Sequence, residues 1–318
     1  MFERISGACT LTHLGVIRAQ GEDAIPFLQG QLTNDVALQQ PSQARLAAWC
    51  SAKGRMLASF VVVRLAADDL LLICSRDLLA PTLKRLSMFV LRAKVRLSDA
   101  SATFALHGLL GDAARAVQAL PTWAVGRGAL NADADVAEGS AAVITIALPA
   151  APAMPRALRV APAGTPAPAV AALDESAWLW AEVHSGVARV QAAVVDAFVP
   201  QMLNYESVDG INFRKGCYPG QEVVARSQFR GAIKRRGFIV RCETVLTPGQ
   251  ELFDPQDLSQ PCGVVAMAAA VPTGCGADGA CDAIASLQVS TALSPALVTA
   301  DGTAVQTLPL PYPLRTDI

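Results

Sequence analysis
The stretch 198–236 reads FVPQMLNYESVDGINFRKGCYPGQEVVARSQFRGAIKRR, dense in Gly, Cys, Gln, Asn, Lys and Arg within a chain otherwise dominated by Ala, Leu and Val. At its centre, Lys215-Gly216-Cys217-Tyr218-Pro219-Gly220-Gln221-Glu222 sets one thiol between two glycines. Gly216 and Gly220 permit backbone conformations closed to other residues, and Pro219 stiffens the turn between them. Residues 221–230 read as a short helix with Glu222 in its first turn, so Cys217 falls on a tight loop ahead of a helix N-terminus. That N-terminus, and a cation two residues away at Lys215, both stabilise a thiolate. Cys217 is therefore a candidate reactive thiol. The same residues also describe a buried structural cysteine in a rigid turn.

The elements that must position this loop follow from periodicity. A short strand over 14–19 ends at Gly21, and 22–32 places Ile25, Leu28 and Leu32 on one helical face. Residues 45–51 and 55–65 flank the tight Ala52-Lys53-Gly54 turn as a hairpin, and 70–74 adds a strand. Residues 78–91 have helical apolar spacing, and 94–97 closes a β-β-α-β pattern. A second similar unit is predicted from strands at 104–110, 143–147 and 157–160 with a helix near 112–120. After Arg230, short β-like runs at 238–241, 263–269, 283–289 and 296–299 suggest a small barrel. The Ala/Pro-rich stretch 147–172 reads as a long loop or variable insertion. The fold class is α+β.

Composition narrows the function classes. Of 318 residues 52% are hydrophobic, but alanine inflates that figure. No window supplies about twenty unbroken apolar residues for a spanning helix; 147–173 carries six prolines and two arginines. The first 35 residues show no signal-sequence pattern, and the reading is a soluble cytoplasmic protein. Lys and Arg total 26 against 27 Asp and Glu, which argues against affinity built on a basic face. The eight cysteines are scattered, unlike a disulfide framework, and most read as small buried hydrophobes. His13, His107 and His184 are too far apart in sequence to suggest a metal motif or triad. No phosphate-binding or dinucleotide fingerprint occurs.

KGCYPGQE together with the downstream VARSQFRG resembles the signature of the YgfZ family of folate-binding, tRNA-modification-associated proteins. These are relatives of the glycine-cleavage T-protein and of a mitochondrial iron–sulfur assembly factor. FLQGQLTNDV at 27–36 and CSAKGR at 50–55 resemble the family's N-terminal part. FVPQMLN at 198–204 and LPLPYPL at 308–314 match upstream and C-terminal features. The likeness spans nearly the whole chain and is weakest from 110 to 172.

The resemblance implies a T-protein-like three-domain arrangement: a folate-binding body of two interleaved α+β subdomains over 1–230, and a C-terminal β-barrel over 231–318. It implies tetrahydrofolate or a derivative as ligand, and an iron–sulfur cluster only transiently. Its implied role is support of iron–sulfur client enzymes, such as a tRNA methylthiotransferase. In that role Cys217 is the essential thiol, and Lys215, Gly216, Tyr218, Gly220, Gln221 and Glu222 complete its motif. A family tryptophan that contacts folate matches Trp178, whereas a second corresponds to Leu14. The T-protein carboxylate that grips the pterin falls at His184, with Glu182 as a substitute one turn from Trp178.

For such a ligand, Trp178 would offer a stacking face. Gln201 and Asn204 would read the pterin edge, and Arg226 or Arg230 would pair a tail carboxylate. The plainer alternatives are core packing for Trp178, loop bracing for Gln201 and Asn204, and solvated surface for the arginines. The T-protein carries paired aspartates just after the hairpin turn, but 55–61 here has no carboxylate. The expectation is thus an accessory factor, with a folate-dependent one-carbon transferase acting on tRNA as the alternative. A monomer is expected, with no stable nucleic-acid or membrane binding.

Overall fold
The structure is a computed structural model that describes residues 5–128, 143–229, 233–277, 279–292 and 297–315. Its elements run β1 (Gly7–Thr10), β2 (Leu14–Gln20), α1 (Ala24–Gln29), β3 (Ala44–Cys50), β4 (Met56–Ala66), β5 (Asp69–Ser75), α2 (Arg76–Ser87) and β6 (Arg96–Asp99). Next come β7 (Phe104–Leu110), α3 (Arg115–Gln118), β8 (Val125–Arg127), β9 (Ile144–Ala151), β10 (Met154–Pro162), α4 (Glu175–His184) and α5 (Gln221–Phe229). The last are β11 (Arg235–Cys242), β12 (Glu251–Asp254), β13 (Asp257–Ala270), β14 (Cys281–Gln288), α6 (Val289–Ala292), β15 (Leu297–Val298) and β16 (Ala304–Leu308). These strands build two five-stranded sheets and a closed barrel, the α+β architecture expected.

Two compact units divide the chain. The first comprises Met1–Gln29, Asp35–Leu46 and Phe60–Trp178; the second comprises Gly30–Asn34, Ala47–Ser59 and Leu179–Ile318. The expected boundary at 230 is therefore not where the compact units part, since residues 179–229 go with the barrel. The bonds responsible are those of Asn204 to Gly237 and of Arg236 to Glu206, together with the Asp282 cluster described below.

In the first unit, one sheet has the order β1-β7-β10-β9-β8. The stretch 147–172, read as a loop, instead supplies most of the β9–β10 hairpin. Its prolines sit where a strand tolerates a missing N–H. Pro149 lies beyond Ile146, where β8 stops pairing with β9, and Pro155 falls at the register shift between Met154 and Arg156. The other sheet has the order β3-β4-β5-β2-β6. Its β5 is buried almost throughout, as a run of Leu and Ile between two neighbours requires. Helix α1 is shorter than the predicted 22–32. Gly30 follows it at once, and the Gln29 side chain accepts from the Val36 and Ala37 N–H groups, turning the chain instead of extending the helix. Helix α2 buries Leu78, Leu79 and Leu86, with Asp77 in its first turn and Lys84 and Arg85 in its last, charges that suit the helix dipole.

Trp178 packs in the core of this first unit, 1% exposed. Its indole lies on β7 at Gly108, where a Cβ would come within 2.3 Å of the ring. The Arg156 guanidinium stands 4.6 Å from the ring centroid. The aromatic surface is thus taken up by protein.

In the second unit the strand order β11-β14-β13-β12-β15-β16 closes a barrel. Val240, Leu252, Val265, Leu287, Leu297 and Val305 fill it. Closure leaves no exposed sheet edge. The short strands β12 and β16 were not evident from patterning and exist because they complete that closure.

Because Gly108 makes room for a rigid, enclosed indole, Gly108→Ala is expected to destabilise the protein by about 1–3 kcal/mol. Urea denaturation of the variant and wild type measures it.

Candidate functional site
The site is built in the second unit, where the motif loop rests on the tip of the β3–β4 hairpin. Gly220 has φ +77°, and a Cβ there would lie 2.4 Å from the Ser51 carbonyl oxygen and 2.6 Å from the Gly54 backbone. Gly54, at φ +71°, faces Val223 as closely, with 2.8 Å left for a Cβ. Each glycine is required both by left-handed backbone and by the approach of the other strand of chain. The Ala-Lys-Gly turn and the motif are therefore one packing unit. Gly216, in contrast, has open space about its Cα.

Further anchors hold the loop from below. The Lys215 ammonium, buried, donates to the Leu32 carbonyl at 2.6 Å and lies 4.8 Å from the Tyr218 ring centroid. Tyr218 is buried, and burial pushes its phenol well above the ordinary range. The neighbouring Thr33 accepts the Ala48 N–H on its hydroxyl, which itself donates to the Gly210 carbonyl. Its own carbonyl accepts from the Asn212 N–H. Asn34 donates to the Asp209 carbonyl. So LTN at 32–34, which lies beyond the end of α1 at Gln29, supports the approach to the motif. Asp35 accepts the Leu38 N–H in a local turn.

Helix α5 starts at Gln221, four residues after the thiol, and Glu222 in its first turn pairs with Arg226 at 2.6 Å on the exposed face. Phe229 stacks edge-on against Phe213, with centroids 5.5 Å apart. Cys217 is exposed, and the seven other cysteines are buried. Burial pushes the Cys9 and Cys50 thiols up to about 11 and about 12, a direction that leaves them poor nucleophiles at neutral pH.

The remaining candidates are spread through the protein. Gln201 is fully buried and donates to the Val224 carbonyl at 2.7 Å, holding α5, while its Oε1 has no hydrogen-bond partner. Asn204, also fully buried and at φ +59°, exchanges both amide bonds with Gly237 and donates to the Tyr312 hydroxyl. Both brace the loop. Glu182 pairs with Arg189 at 3.3 Å. Arg226 is on the surface with Glu222, and Arg230 lies outside the described residues. Leu14 is a buried strand residue.

His184 belongs to a buried cluster. Its Nε2 lies 2.7 Å from the Asp282 carboxylate, which also accepts from Trp180 Nε1 and twice from Arg241, each at 2.7 Å. Burial would raise the Asp282 carboxyl, but bonds from Arg241, His184 and Trp180 outweigh it and hold the group down at about 2. Nothing in the local sequence CDAIASL marks Asp282 beyond its alternation with apolar residues. Asp196 was also missed. At φ +59° it accepts from the Ser51 hydroxyl at 2.9 Å and donates its N–H to the Met56 carbonyl, bringing to the hairpin a carboxylate that 55–61 lacks.

Comparison with known proteins places this geometry in context. Residues 3–125 match the GCVT N-terminal domain family. The tRNA-modifying protein YgfZ of Hamiltonella defensa is 33% identical over 240 residues, covering 71% of this chain and 67% of that protein. The protein of the same name from Klebsiella pneumoniae is 34% identical over 233 residues, covering 71% and 68%. An uncharacterized Haemophilus influenzae protein is 28% identical over 74% of this chain and 73% of its own length. The crystal structure of the glycine cleavage system aminomethyltransferase T from Bartonella henselae shares the fold. It has a TM-score of 0.70 at 16% identity, across 98% of this chain and 87% of that one.

Asp282→Asn removes the charge that Arg241 and His184 face, and is expected to cost about 3–5 kcal/mol in urea denaturation. Because folding lowers the Asp282 pKa, its stabilising contribution is complete above the unfolded value of about 4 and declines as pH falls towards about 2. Wild type should lose stability across that window more steeply than the Asn variant.

Proposed function
This chain belongs to the YgfZ family, and from that membership we propose that it is a folate-binding accessory protein in tRNA modification that presents Cys217 to iron–sulfur client enzymes. The observation that carries this reading is the exposure of that one thiol among eight, on a loop otherwise pinned to the protein. Gly220 and Gly54 fix the loop on the hairpin, and Lys215 and Tyr218 anchor it inward. The thiol is left facing solvent at a defined place, which is what a group meant to meet another macromolecule needs. Among the described residues, no three His, Cys, Asp or Glu side chains gather where they would hold a metal. A cluster reaching Cys217 would therefore draw its other ligands from the client, as cargo.

Folate enters through the family. The side chains matched to its contacts do not fit that task as they stand. Trp178 is covered by Gly108 and Arg156, Asn204 is bonded to Gly237, and His184 is bonded to Asp282. Trp178 Nε1 and Gln201 Oε1 are the buried side-chain atoms among these candidates left without a hydrogen-bond partner. No chemical step is assigned through the folate here.

The second reading, one-carbon transfer with Cys217 as nucleophile, has Asp196 in its favour. Its carboxylate sits on Ser51 beside the hairpin turn, in a backbone conformation that costs free energy and so asks for a reason. Transfer of labelled carbon from methylene-tetrahydrofolate to tRNA, lost in Asp196→Asn, would establish that reading over the first.

Cys217→Ala and Cys217→Ser should leave thermal stability nearly unchanged, because the side chain is exposed. In a strain lacking the native gene, both should fail to raise tRNA methylthiolation above the deletion level. Full rescue by the Ala variant would remove the thiol from the mechanism. For folate, fluorescence titration with a tetrahydrofolate derivative should give Trp178→Phe an affinity within about twofold of wild type, since the indole is enclosed. Loss of binding in a stably folded variant would show that the ring reaches the ligand.

A further inference from the structure
Among the described residues, the turn that follows α2 is the most exposed apolar segment of the first unit. Met88 is 67% exposed, Phe89 45% and Leu91 87%. The turn is ordered by successive backbone bonds, from Met88 to Arg85, Phe89 to Leu86, Val90 to Ser87 and Leu91 to Phe89. Lys84 and Arg85 precede the apolar residues; Arg92, Lys94 and Arg96 follow them, and all five cations are exposed. No acid occurs from 84 to 98 in a chain whose net charge is −1. Glu22 pairs with Lys94, Asp23 accepts the Lys94 backbone N–H, and Asp77 and Asp99 lie on the elements that carry Arg85 and Arg96.

We propose that this turn is a docking tip for an anionic lipid surface, with Met88, Phe89 and Leu91 entering the headgroup boundary and the flanking cations meeting lipid phosphates. Exposed apolar side chains cost solvation in water, and a contiguous set of them marks a contact surface. Two aliphatic side chains, Met88 and Leu91, do nothing for RNA, which is held by stacking and phosphate pairing. Cations on both sequence flanks of an apolar tip match a laterally uniform negative surface, where buried apolar area and electrostatic attraction add. A protein partner would need an apolar pocket rimmed by carboxylates on both flanks. Among the described residues no helix is long and apolar enough to cross a membrane, which bears on spanning and not on docking at the surface. The inference is independent of the role of Cys217.

Co-sedimentation of the full chain with vesicles tests it. One set is phosphatidylcholine alone, and the other contains about one-third phosphatidylglycerol. Wild type should sediment with the second set and not the first. Binding should fall about tenfold in the double variant Met88→Ser/Leu91→Ser and again in Lys84→Glu/Arg92→Glu. All four positions are exposed, and circular dichroism checks that the variants stay folded. Equal binding to both vesicle types, or wild-type binding by the Ser double variant, overturns the proposal. So does wild type that ignores both vesicles yet binds labelled tRNA in a manner lost on charge reversal, which would assign the patch to nucleic acid.

Discussion
The closest approach of backbone to backbone in the site, Gly220 against Ser51 and Gly54, is the constraint on which the functional loop depends. Two segments more than 160 residues apart in sequence meet where neither tolerates a β-carbon. Such a contact cannot slide, because any displacement brings main-chain atoms into collision. The position of Cys217 is set by this seat and by Lys215, whose ammonium reaches the Leu32 carbonyl. A thiol three residues from the fixed glycine has little freedom to retreat into the protein. Its exposure is consequently a property of the fold and not of local sequence.

The second unit relies on another buried arrangement. Asp282 on β14 gathers Trp180 and His184 from α4 and Arg241 from β11, so that one carboxylate ties together three elements. A buried charge is tolerated because several hydrogen bonds replace its hydration. Glu206 and Arg236 form a second buried pair, and Arg236 also donates to the Arg315 carbonyl near the C-terminus. These polar contacts bind residues 179–229 to the barrel strands. The loop that carries Cys217 is thereby mounted on the barrel's own unit.

Family membership and local geometry speak to different parts of the molecule. The T-protein fold is retained at 16% identity, as expected when sheet order and barrel closure depend on apolar patterning that many sequences satisfy. Three side chains offered above for ligand contacts have internal partners: His184 bonds Asp282, Glu182 pairs with Arg189, and Asn204 bonds Gly237. A shared fold does not by itself fix a site, because function resides in a few side chains placed on the frame. Around the motif, the thiol and the Glu222–Arg226 pair face solvent, and Phe229 is exposed against a half-buried Phe213.

Local pattern by itself determined the α+β class, the β3–β4 hairpin, α2, β7 and the barrel, because apolar runs bounded by turn residues mark the strands and helical apolar spacing marks α2. The motif around Cys217 was legible as chemistry because its composition departs from the alanine-rich remainder. Tertiary structure alone decided the rest. The 147–172 stretch became a hairpin because its prolines fall at an edge and a bulge, which only strand pairing reveals. Lys215 donates to the Leu32 carbonyl, a partnership made across more than 180 residues of chain. Trp178 became core, and Asp282 and Asp196 became prominent, because burial and hydrogen-bond partners are set by distant segments. Local sequence records which side chains are present; the fold decides which of them face water.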